Sequence, residues 1–208
     1  MIHNIFPIKL YEYNLKDLSL NSSILDKLSN EQFIDNGNNQ LPPQLRSYQT
    51  NHYLHKDDSY TSLYSWFIDC INDFANNEQL DCDNLEITTS WANKYPAYTQ
   101  SHQVSHSHRM SYISAVYYLT PGSPTCFNDP LIQRTNNSLE VHNNNSRSAL
   151  VEAQPGKLIL FPSWLMHSSH PHQAQFDRWT ISFNTMPTGK INTKSNSSGN
   201  PSCILDVK

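Results

Sequence analysis

Six short β-rich segments fill the second half of the chain, and they constrain its fold more than any other feature. They cover residues 85–95, 112–121, 124–130, 148–156, 157–167 and 178–186, and Pro, Gly or Asn bounds them. They are rich in β-branched and aromatic residues, which is typical of β-strands. No helical pattern of comparable length separates these segments. The sequence therefore predicts an antiparallel β-sandwich or jelly roll.

The first half of the chain supplies the helices of this predicted fold. Residues 59–79 carry apolar side chains close to the i, i+3, i+4, i+7 pattern, which predicts the main helix. Residues 22–35 predict a shorter helix with Ser22 or Ser23 as its N-cap. An initial strand or extended segment is expected within residues 1–20, and a loop over 36–54. The predicted fold class is mainly β with flanking α: a sandwich or jelly roll with helices packed on the outside of one sheet.

Composition indicates a globular protein and narrows the classes of partner. The 208 residues are 37% hydrophobic and 15% charged and suit one domain, predicted over 1–186 with a polar, flexible tail over 187–208. A net charge of −4 gives no sign of nucleic-acid binding. Membrane insertion is not expected, because no apolar run approaches the roughly 20 residues that a span needs. The N-terminus lacks the features of a signal peptide, so a cytoplasmic location is expected.

Two histidines precede the strand segment at 112–121 and are separated by a single residue. Alternate residues of an extended chain project to the same face, so His106 and His108 can reach one point. A third, His167, ends the apolar segment 157–167. Two such strands can meet at the mouth of a jelly roll. Three protein ligands with open positions opposite them are the arrangement that catalysis by iron or zinc requires.

An arginine at the start of the last strand segment extends this pattern into a pocket. Arg178 on a central strand is costly to bury without an anionic partner, and its planar fork suits a carboxylate. Thr180 projects to the same face two residues later, and Tyr118 lies on the strand after the histidine pair. Together they predict a receptor for a dicarboxylate that chelates the metal at one end.

At these residues the chain resembles the 2-oxoglutarate and Fe(II)-dependent oxygenases of the prolyl-hydroxylase-like superfamily. It is most similar to a family of small oxygenases with an H-x-H motif, followed by F-P-S-W-L-x-H and R-x-S-x-S-F-N. The matching stretches are "HSHRMSYISAVYYL", "FNDP", "PGKLILFPSWLMH" and "DRWTISFN", and the opening "NIFPIKLYEYNL" is also similar. The resemblance spans roughly residues 4 to 186. It implies a double-stranded β-helix with Fe(II) at its mouth.

The resemblance also implies roles for individual residues. His106 corresponds to the first iron ligand, His167 to the distal ligand and Arg178 to the residue that binds 2-oxoglutarate. Tyr118 and Thr180 fall where the superfamily places hydroxyls near the same carboxylate. The expected cofactors are Fe(II), 2-oxoglutarate as cosubstrate and O2.

The second ligand position departs from the superfamily pattern, because His108 stands where Asp or Glu is expected. One interpretation is a site of three histidines, His106, His108 and His167. The other is that Asp129 of "FNDP" supplies a carboxylate ligand. Asp129 can also be explained as a residue that caps the backbone of a turn.

The implied reaction is oxidative decarboxylation of 2-oxoglutarate to succinate and CO2, coupled to hydroxylation of a substrate. By analogy the substrate is a protein side chain, such as proline, or a small metabolite. Two other functions stay open on the sequence alone. One is a cupin-type metalloenzyme with three histidines that does not use 2-oxoglutarate. The other is a non-enzymatic jelly-roll binding module.

Overall fold

The structure, a computed structural model, describes residues 7–35, 41–131, 148–193 and 205–207. Two α-helices occur in this part, α1 (Ser19–Leu28) and α2 (Thr61–Asn77), with short 3-10 helices at Pro43–Leu45, Leu54–Lys56 and Asp58–Tyr60. The strands are β1 (Tyr11–Asn14), β2 (Ile34–Asp35), β3 (Tyr48–Gln49), β4 (Cys82–Tyr95), β5 (Ile113–Tyr118), β6 (Gly122–Asn128), β7 (Ser148–Ala153), β8 (Lys157–Pro162), β9 (His167–Ser169), β10 (Arg178–Ile191) and β11 (Leu205–Val207).

The strands form two antiparallel sheets, which confirms the predicted jelly-roll class. The larger sheet has the order β1-β8-β5-β10-β4-β3-β2, with β11 paired to β10, and the smaller sheet has the order β7-β6-β9. Each of the six predicted β-rich segments contributes at least one strand. β10 lies at the centre of the larger sheet between β4 and β5. Its inward-facing side chains therefore lie far from any sheet edge.

Alternation along the central strands divides the core into two layers. On β8, Leu158 and Leu160 belong to the cluster that packs under the helices. Ile159 and Phe161 belong to the cluster that Phe127 of β6 completes from the other sheet. Because successive side chains of a strand face opposite sides, one strand supplies both layers. The helices therefore cover the outer face of the larger sheet, as predicted, and leave its inner face to the sandwich interior.

The short helix begins earlier than its sequence predicts. Ser22 and Ser23 lie inside α1, which starts at Ser19. The Asp17 carboxylate accepts hydrogen bonds from the Ser19 amide at 3.0 Å and from its hydroxyl at 2.6 Å. This acceptor satisfies an amide that the helix itself leaves unpaired, so the first turn forms before the two predicted caps. The shift places Asn21 in the core, where it accepts a hydrogen bond from the Tyr117 hydroxyl.

The C-terminal end of the domain extends past its predicted boundary. β10 continues beyond residue 186 to Ile191, and β11 pairs with its end through Gly189, Lys190 and Ile191. This pairing extends the larger sheet into part of the segment predicted to be a tail. Residues 194–204 and 208, where the rest of that prediction falls, lie outside the described residues. No helix in the described ranges is both long and apolar enough to cross a bilayer.

The contact between α2 and the larger sheet should provide much of the fold's stability. Phe67 is fully buried, with ring centroids 5.3 Å from Tyr117 and 5.1 Å from Phe183. We expect Phe67→Ala to lower the free energy of unfolding by about 3–5 kcal/mol because it leaves a cavity at this contact. Ile68→Ala on the adjacent, half-exposed position is the matched control, and we expect a loss below about 1 kcal/mol. Urea unfolding of both variants measures the difference, and equal losses would contradict this account of the core.

Candidate metal centre

The structure brings the three histidines of the sequence prediction to one point. His106 and His167 pair in a β-bridge in which each amide donates to the other's carbonyl at 2.9 Å. The His108 amide donates to the Ser163 carbonyl, also at 2.9 Å. One potential ligand atom from each of the three imidazoles lies within 4.8 Å of the other two. Backbone pairing thus fixes the segment before β5 against β9 and collects three nitrogen donors.

Two of these imidazoles are oriented by backbone carbonyls of their own segments. His106 Nδ1 lies 2.7 Å from the Val104 carbonyl, and His167 Nδ1 lies 2.9 Å from the Leu165 carbonyl. A carbonyl only accepts, so each Nδ1 carries its proton and donates it. The lone pair is then on Nε2 of both rings. A hydrogen bond from the second ring nitrogen is the feature that orients histidines toward a metal in proteins.

Burial keeps two of the three imidazoles, those of His108 and His167, uncharged. Burial lowers the pKa of His108 to about 3, with further lowering from His106 and then His167. Burial also lowers the pKa of His167 to about 4, although the hydrogen bond to Leu165 opposes this shift. At neutral pH these two rings are therefore neutral imidazoles. A neutral imidazole is the form that binds a metal ion.

A cleft of about 410 Å³ extends from the cluster across the inner face of the larger sheet. Its floor is a ladder of directly opposed residues on β10 and β4. The pairs are Arg178–Tyr95, Thr180–Asn93, Ser182–Trp91 and Asn184–Thr89. The residues that line the cleft occupy alternate positions on both strands, as the period of two requires. The floor therefore grades from a cationic end at Arg178 to an uncharged polar end at Asn184.

Arg178 is the most unusual side chain in this cleft. It is only 1% exposed, and its Nε and Nη1 have no hydrogen-bond partner among the residues that the structure describes. Its Cζ atom lies 4.5 Å from the ring centroid of Tyr95 and 5.7 Å from that of Tyr118. The aromatic faces offset part of the cost of burying the guanidinium, but they supply no hydrogen-bond acceptor. A buried cation with unpaired donors fits a carboxylate ligand.

The two hydroxyl residues predicted beside Arg178 have different surroundings. Thr180 lines the cleft, and its Oγ1 accepts a long hydrogen bond of 3.4 Å from Asn93 Nδ2. Tyr118 is fully buried, and its hydroxyl donates to Thr125 Oγ1 at 2.6 Å. Burial raises the pKa of Tyr118 to about 12, so this hydroxyl stays protonated. Thr180 is thus open to a ligand, whereas Tyr118 contacts Arg178 through its ring.

Asp129, the alternative carboxylate ligand, does not join the three histidines in the group that the structure brings together. Its Oδ1 accepts a hydrogen bond from the Leu131 amide at 2.8 Å. That contact is the turn-capping arrangement which the sequence also allows. The geometry therefore favours His106, His108 and His167 as the metal-binding set.

The sequence prediction did not include the wall of the cleft beyond the cluster. Trp91 lies 5.9 Å from His108 between ring centroids, and it stacks on His52 at 5.3 Å with an interplanar angle of 27°. Gln49 Nε2 lies 3.0 Å from His52 Nε2. The sequence did contain a signal that Trp91 faces the cleft. Thr89, Trp91, Asn93 and Tyr95 are every second residue of segment 85–95, so they share one face of the strand. His52 and Gln49 come from a loop-like segment without such a period.

A jelly roll with a three-imidazole cluster at its mouth and an unpaired buried arginine in its cleft defines a class of protein. It is the class of double-stranded β-helix enzymes that place a metal beside an acidic cosubstrate. Residues 89–184 match the model of a family described as "Putative 2OG-Fe(II) oxygenase". This match covers 96 of the 208 residues and agrees with the resemblance of the sequence to the 2-oxoglutarate and Fe(II)-dependent oxygenases. The agreement favours the oxygenase over both other functions that the sequence left open.

Solved structures of this class share the fold across most of the chain. HygX from Streptomyces hygroscopicus, crystallised with nickel and 2-oxoglutarate, is 13% identical, with a TM-score of 0.59 over 97% of this chain and 93% of its own. A Pseudomonas putida prolyl-4-hydroxylase is 13% identical, with a TM-score of 0.60 over 86% and 93%. The 2-oxoglutarate-dependent epimerase SnoN from nogalamycin biosynthesis is 10% identical, with a TM-score of 0.65 over 97% and 91%. No curated protein matches the chain.

The two interpretations of the ligand set predict different effects of substitution. If the three histidines bind the metal, His108→Ala should weaken Ni(II) binding by about 100-fold or more, since it removes one of three donors. Asp129→Ala should leave the affinity within about twofold, because the carboxylate serves a turn. His102→Ala is a matched control outside the cluster. Calorimetric titration with Ni(II) measures each affinity, and a larger loss for Asp129→Ala than for His108→Ala would contradict this assignment.

Proposed function

We propose that this chain hydroxylates an uncharged group of its substrate, with Fe(II) held by His106, His108 and His167 and the distal carboxylate of 2-oxoglutarate bound by Arg178. The observation that carries the proposal is the unpaired guanidinium of Arg178 in the same cleft as the three imidazoles. A chelating dicarboxylate satisfies both ends of this cleft at once. Neither end alone specifies such a ligand.

The donor set fits iron. Imidazole nitrogen is a common ligand of Fe(II), and three protein ligands leave coordination positions open for other molecules. The Nδ1 hydrogen bonds of His106 and His167 direct Nε2 of both rings toward the shared point. Iron and its cosubstrate, when bound, supply the activation of O2 and the oxidation. The protein contributes a fixed ligand geometry and a partly enclosed cleft.

The other end of the cleft fits the distal carboxylate of the cosubstrate. The unpartnered nitrogens of Arg178 can donate charge-assisted hydrogen bonds to its oxygens. The Thr180 hydroxyl accepts from Asn93, so its own proton is available to donate to the same carboxylate. Tyr95 and Tyr118 limit the positions open to the guanidinium. Arg178 and Thr180 thus orient the cosubstrate, with its keto acid toward the histidines.

The remaining space suits an uncharged part of the substrate. Same-face positions on a strand are about 7 Å apart, so the floor from Arg178 to Asn184 is roughly 20 Å long. Thr89, Trp91, His52 and Asn184 line the part distant from Arg178. Apart from Arg178 and the histidines, the described residues of the lining bring no Asp, Glu, Lys or Arg. The stacked pair of Trp91 and His52 offers a flat surface to a ring or an aliphatic chain.

The surroundings of the cleft favour a protein side chain over a small metabolite as the substrate. Large apolar side chains are exposed on the two segments that carry the histidines. They are Val104, Met110, Tyr112, Trp164 and Met166. Backbone hydrogen bonds hold these segments together, including one from the Ser163 amide to the Tyr112 carbonyl. Exposed large apolar side chains on the segments that carry a site are typical of surfaces that bind another polypeptide.

Succinate formation in fractionated cell extract tests the substrate class. The protein is reconstituted anaerobically with Fe(II), then supplied with air and 2-oxoglutarate. We expect slow turnover alone and faster turnover with the dialysed protein fraction. Stimulation only by the low-molecular-mass filtrate would replace the protein substrate with a small metabolite. The absence of any succinate, with or without extract, would overturn the oxygenase reaction itself.

The role of Arg178 makes a quantitative prediction. Arg178→Met should raise the KM for 2-oxoglutarate by about 30-fold or more, since loss of a buried charged hydrogen-bond partner costs ~2 kcal/mol or more. Arg109→Met, on the exposed segment beside the histidines, is the matched control and should leave KM within about twofold. Initial rates of succinate formation measure both values. An unchanged KM in Arg178→Met would contradict cosubstrate binding at this end of the cleft.

A further inference from the structure

The aliphatic stem of Arg178 packs against a glycine of the opposite sheet. Gly122 begins β6, and its φ is +148°. A Cβ atom added there would lie 2.9 Å from Cδ of Arg178, 3.1 Å from its Cγ and 3.2 Å from its Cβ. Real Cβ atoms essentially never approach another heavy atom within 3.0 Å. The missing side chain of Gly122 therefore provides the space that the stem of Arg178 occupies.

The backbone of β6 is held where it meets this stem. The Ser123 hydroxyl, one residue on, donates to the Pro171 carbonyl at 3.0 Å. Thr125 accepts the hydrogen bond of the Tyr118 hydroxyl, and the ring of Tyr118 contacts the guanidinium of Arg178. β6 thus restricts the position of the aliphatic stem of Arg178 directly, and it restricts the position of the guanidinium through Tyr118. An added methyl group at position 122 would displace the arginine rather than the strand.

We propose that Gly122 is a positioning residue for the cosubstrate, because it sets where the guanidinium of Arg178 meets the distal carboxylate. The inference rests on the proposed function, in which Arg178 binds 2-oxoglutarate. It adds that recognition of the distal carboxylate depends on a contact between the two sheets. His106 and His167 are joined by their own backbone hydrogen bonds, and β6 pairs with His167 through Phe127, five residues beyond Gly122. A change at Gly122 should therefore leave the metal end of the site intact.

Two other glycines separate this specific effect from general backbone strain. Gly156 and Gly189 also have positive φ values, of +86° and +74°. A Cβ atom at Gly156 would meet Leu18, and one at Gly189 would meet Asp83. Neither Leu18 nor Asp83 lines the cleft, whereas Arg178 does. Alanine at either position should lower stability without changing the preference for a dicarboxylate.

Comparison of 2-oxoglutarate with pyruvate tests the proposal by direct binding. Pyruvate carries the same 2-keto acid but lacks the distal carboxylate, so it engages only the metal end. In the Ni(II)-loaded protein, we expect Gly122→Ala to weaken 2-oxoglutarate binding about tenfold or more and to leave pyruvate binding within about twofold. Gly156→Ala and Gly189→Ala should change neither. Equal weakening of both acids, or none for 2-oxoglutarate, would overturn the role of Gly122.

Wild-type binding separates a failure of this inference from a failure of the proposed function. A wild-type protein that does not prefer 2-oxoglutarate to pyruvate overturns both. A wild-type preference that Gly122→Ala retains in full overturns only the inference. In turnover assays we expect Gly122→Ala to raise the KM for 2-oxoglutarate, with a much smaller change in kcat. An equal loss in kcat would indicate general damage to the site and also count against the proposal.

A double-variant cycle keeps the proposal testable if Gly122→Ala folds but is strongly destabilised. Arg178→Ala removes Cδ and Cγ, the two atoms of the stem that lie nearest to the new methyl group. It should therefore raise the Tm more in the Gly122→Ala background than in the wild type. In the Arg178→Ala background, Gly122→Ala should no longer change the affinity for 2-oxoglutarate. Additive effects on Tm would show that the two residues are not coupled and would overturn the proposal.

Discussion

The buried positive charge of Arg178 is the constraint on which the rest of the site depends. Removing a guanidinium from water costs several kcal/mol unless an anion and hydrogen-bond acceptors replace the solvent. Two aromatic rings contact it, but the part of the chain that the structure describes supplies no acceptor to its Nε and Nη1. The side chain is 1% exposed, so water does not replace the missing acceptors. A ligand that carries a carboxylate can complete the environment of Arg178.

The other residues of the cleft suit a ligand whose carboxylate binds Arg178. The opposed residues of β4 and β10 form a floor that leads away from the charge toward uncharged polar groups. The reciprocal hydrogen bonds between His106 and His167 place nitrogen donors above the same cleft. In each part, the residues that face the cleft are alternate residues of an extended segment, which project to the same side. A distal carboxylate, a chelating keto acid and a substrate can therefore occupy successive parts of one cleft.

Features that follow from local periodicity could be predicted from the sequence. The β-rich segments and the main helix are strongly patterned, so their classes are found where expected. His106, His108, His167 and Arg178 stand out because polar residues beside apolar strands need a partner. The start of α1 was misplaced because Asp17, outside the expected cap positions, accepts the first amide hydrogen bond. An Asp commonly marks the start of a helix. Whether Asp17 or one of the two serines accepts the first amide hydrogen bond depends, however, on the folded geometry.

Contacts between distant segments could not be predicted in the same way. Gly122 and Arg178 are 56 positions apart, and only the packing of the two sheets brings their atoms together. The stacking of His52 on Trp91 joins a loop-like segment to β4. The choice between His108 and Asp129 likewise depends on where a turn places a carboxylate. Sequence pattern specifies which face a residue occupies, whereas tertiary packing specifies what it meets there.

A crystal structure of the protein with Mn(II) and 2-oxoglutarate tests the central claim most directly. Anomalous scattering locates the metal independently of the protein density. We expect a metal bound by nitrogens of His106, His108 and His167 and chelated by the keto acid, with the distal carboxylate on Arg178 and Thr180. A metal bound through Asp129, or a distal carboxylate turned away from Arg178, would contradict it.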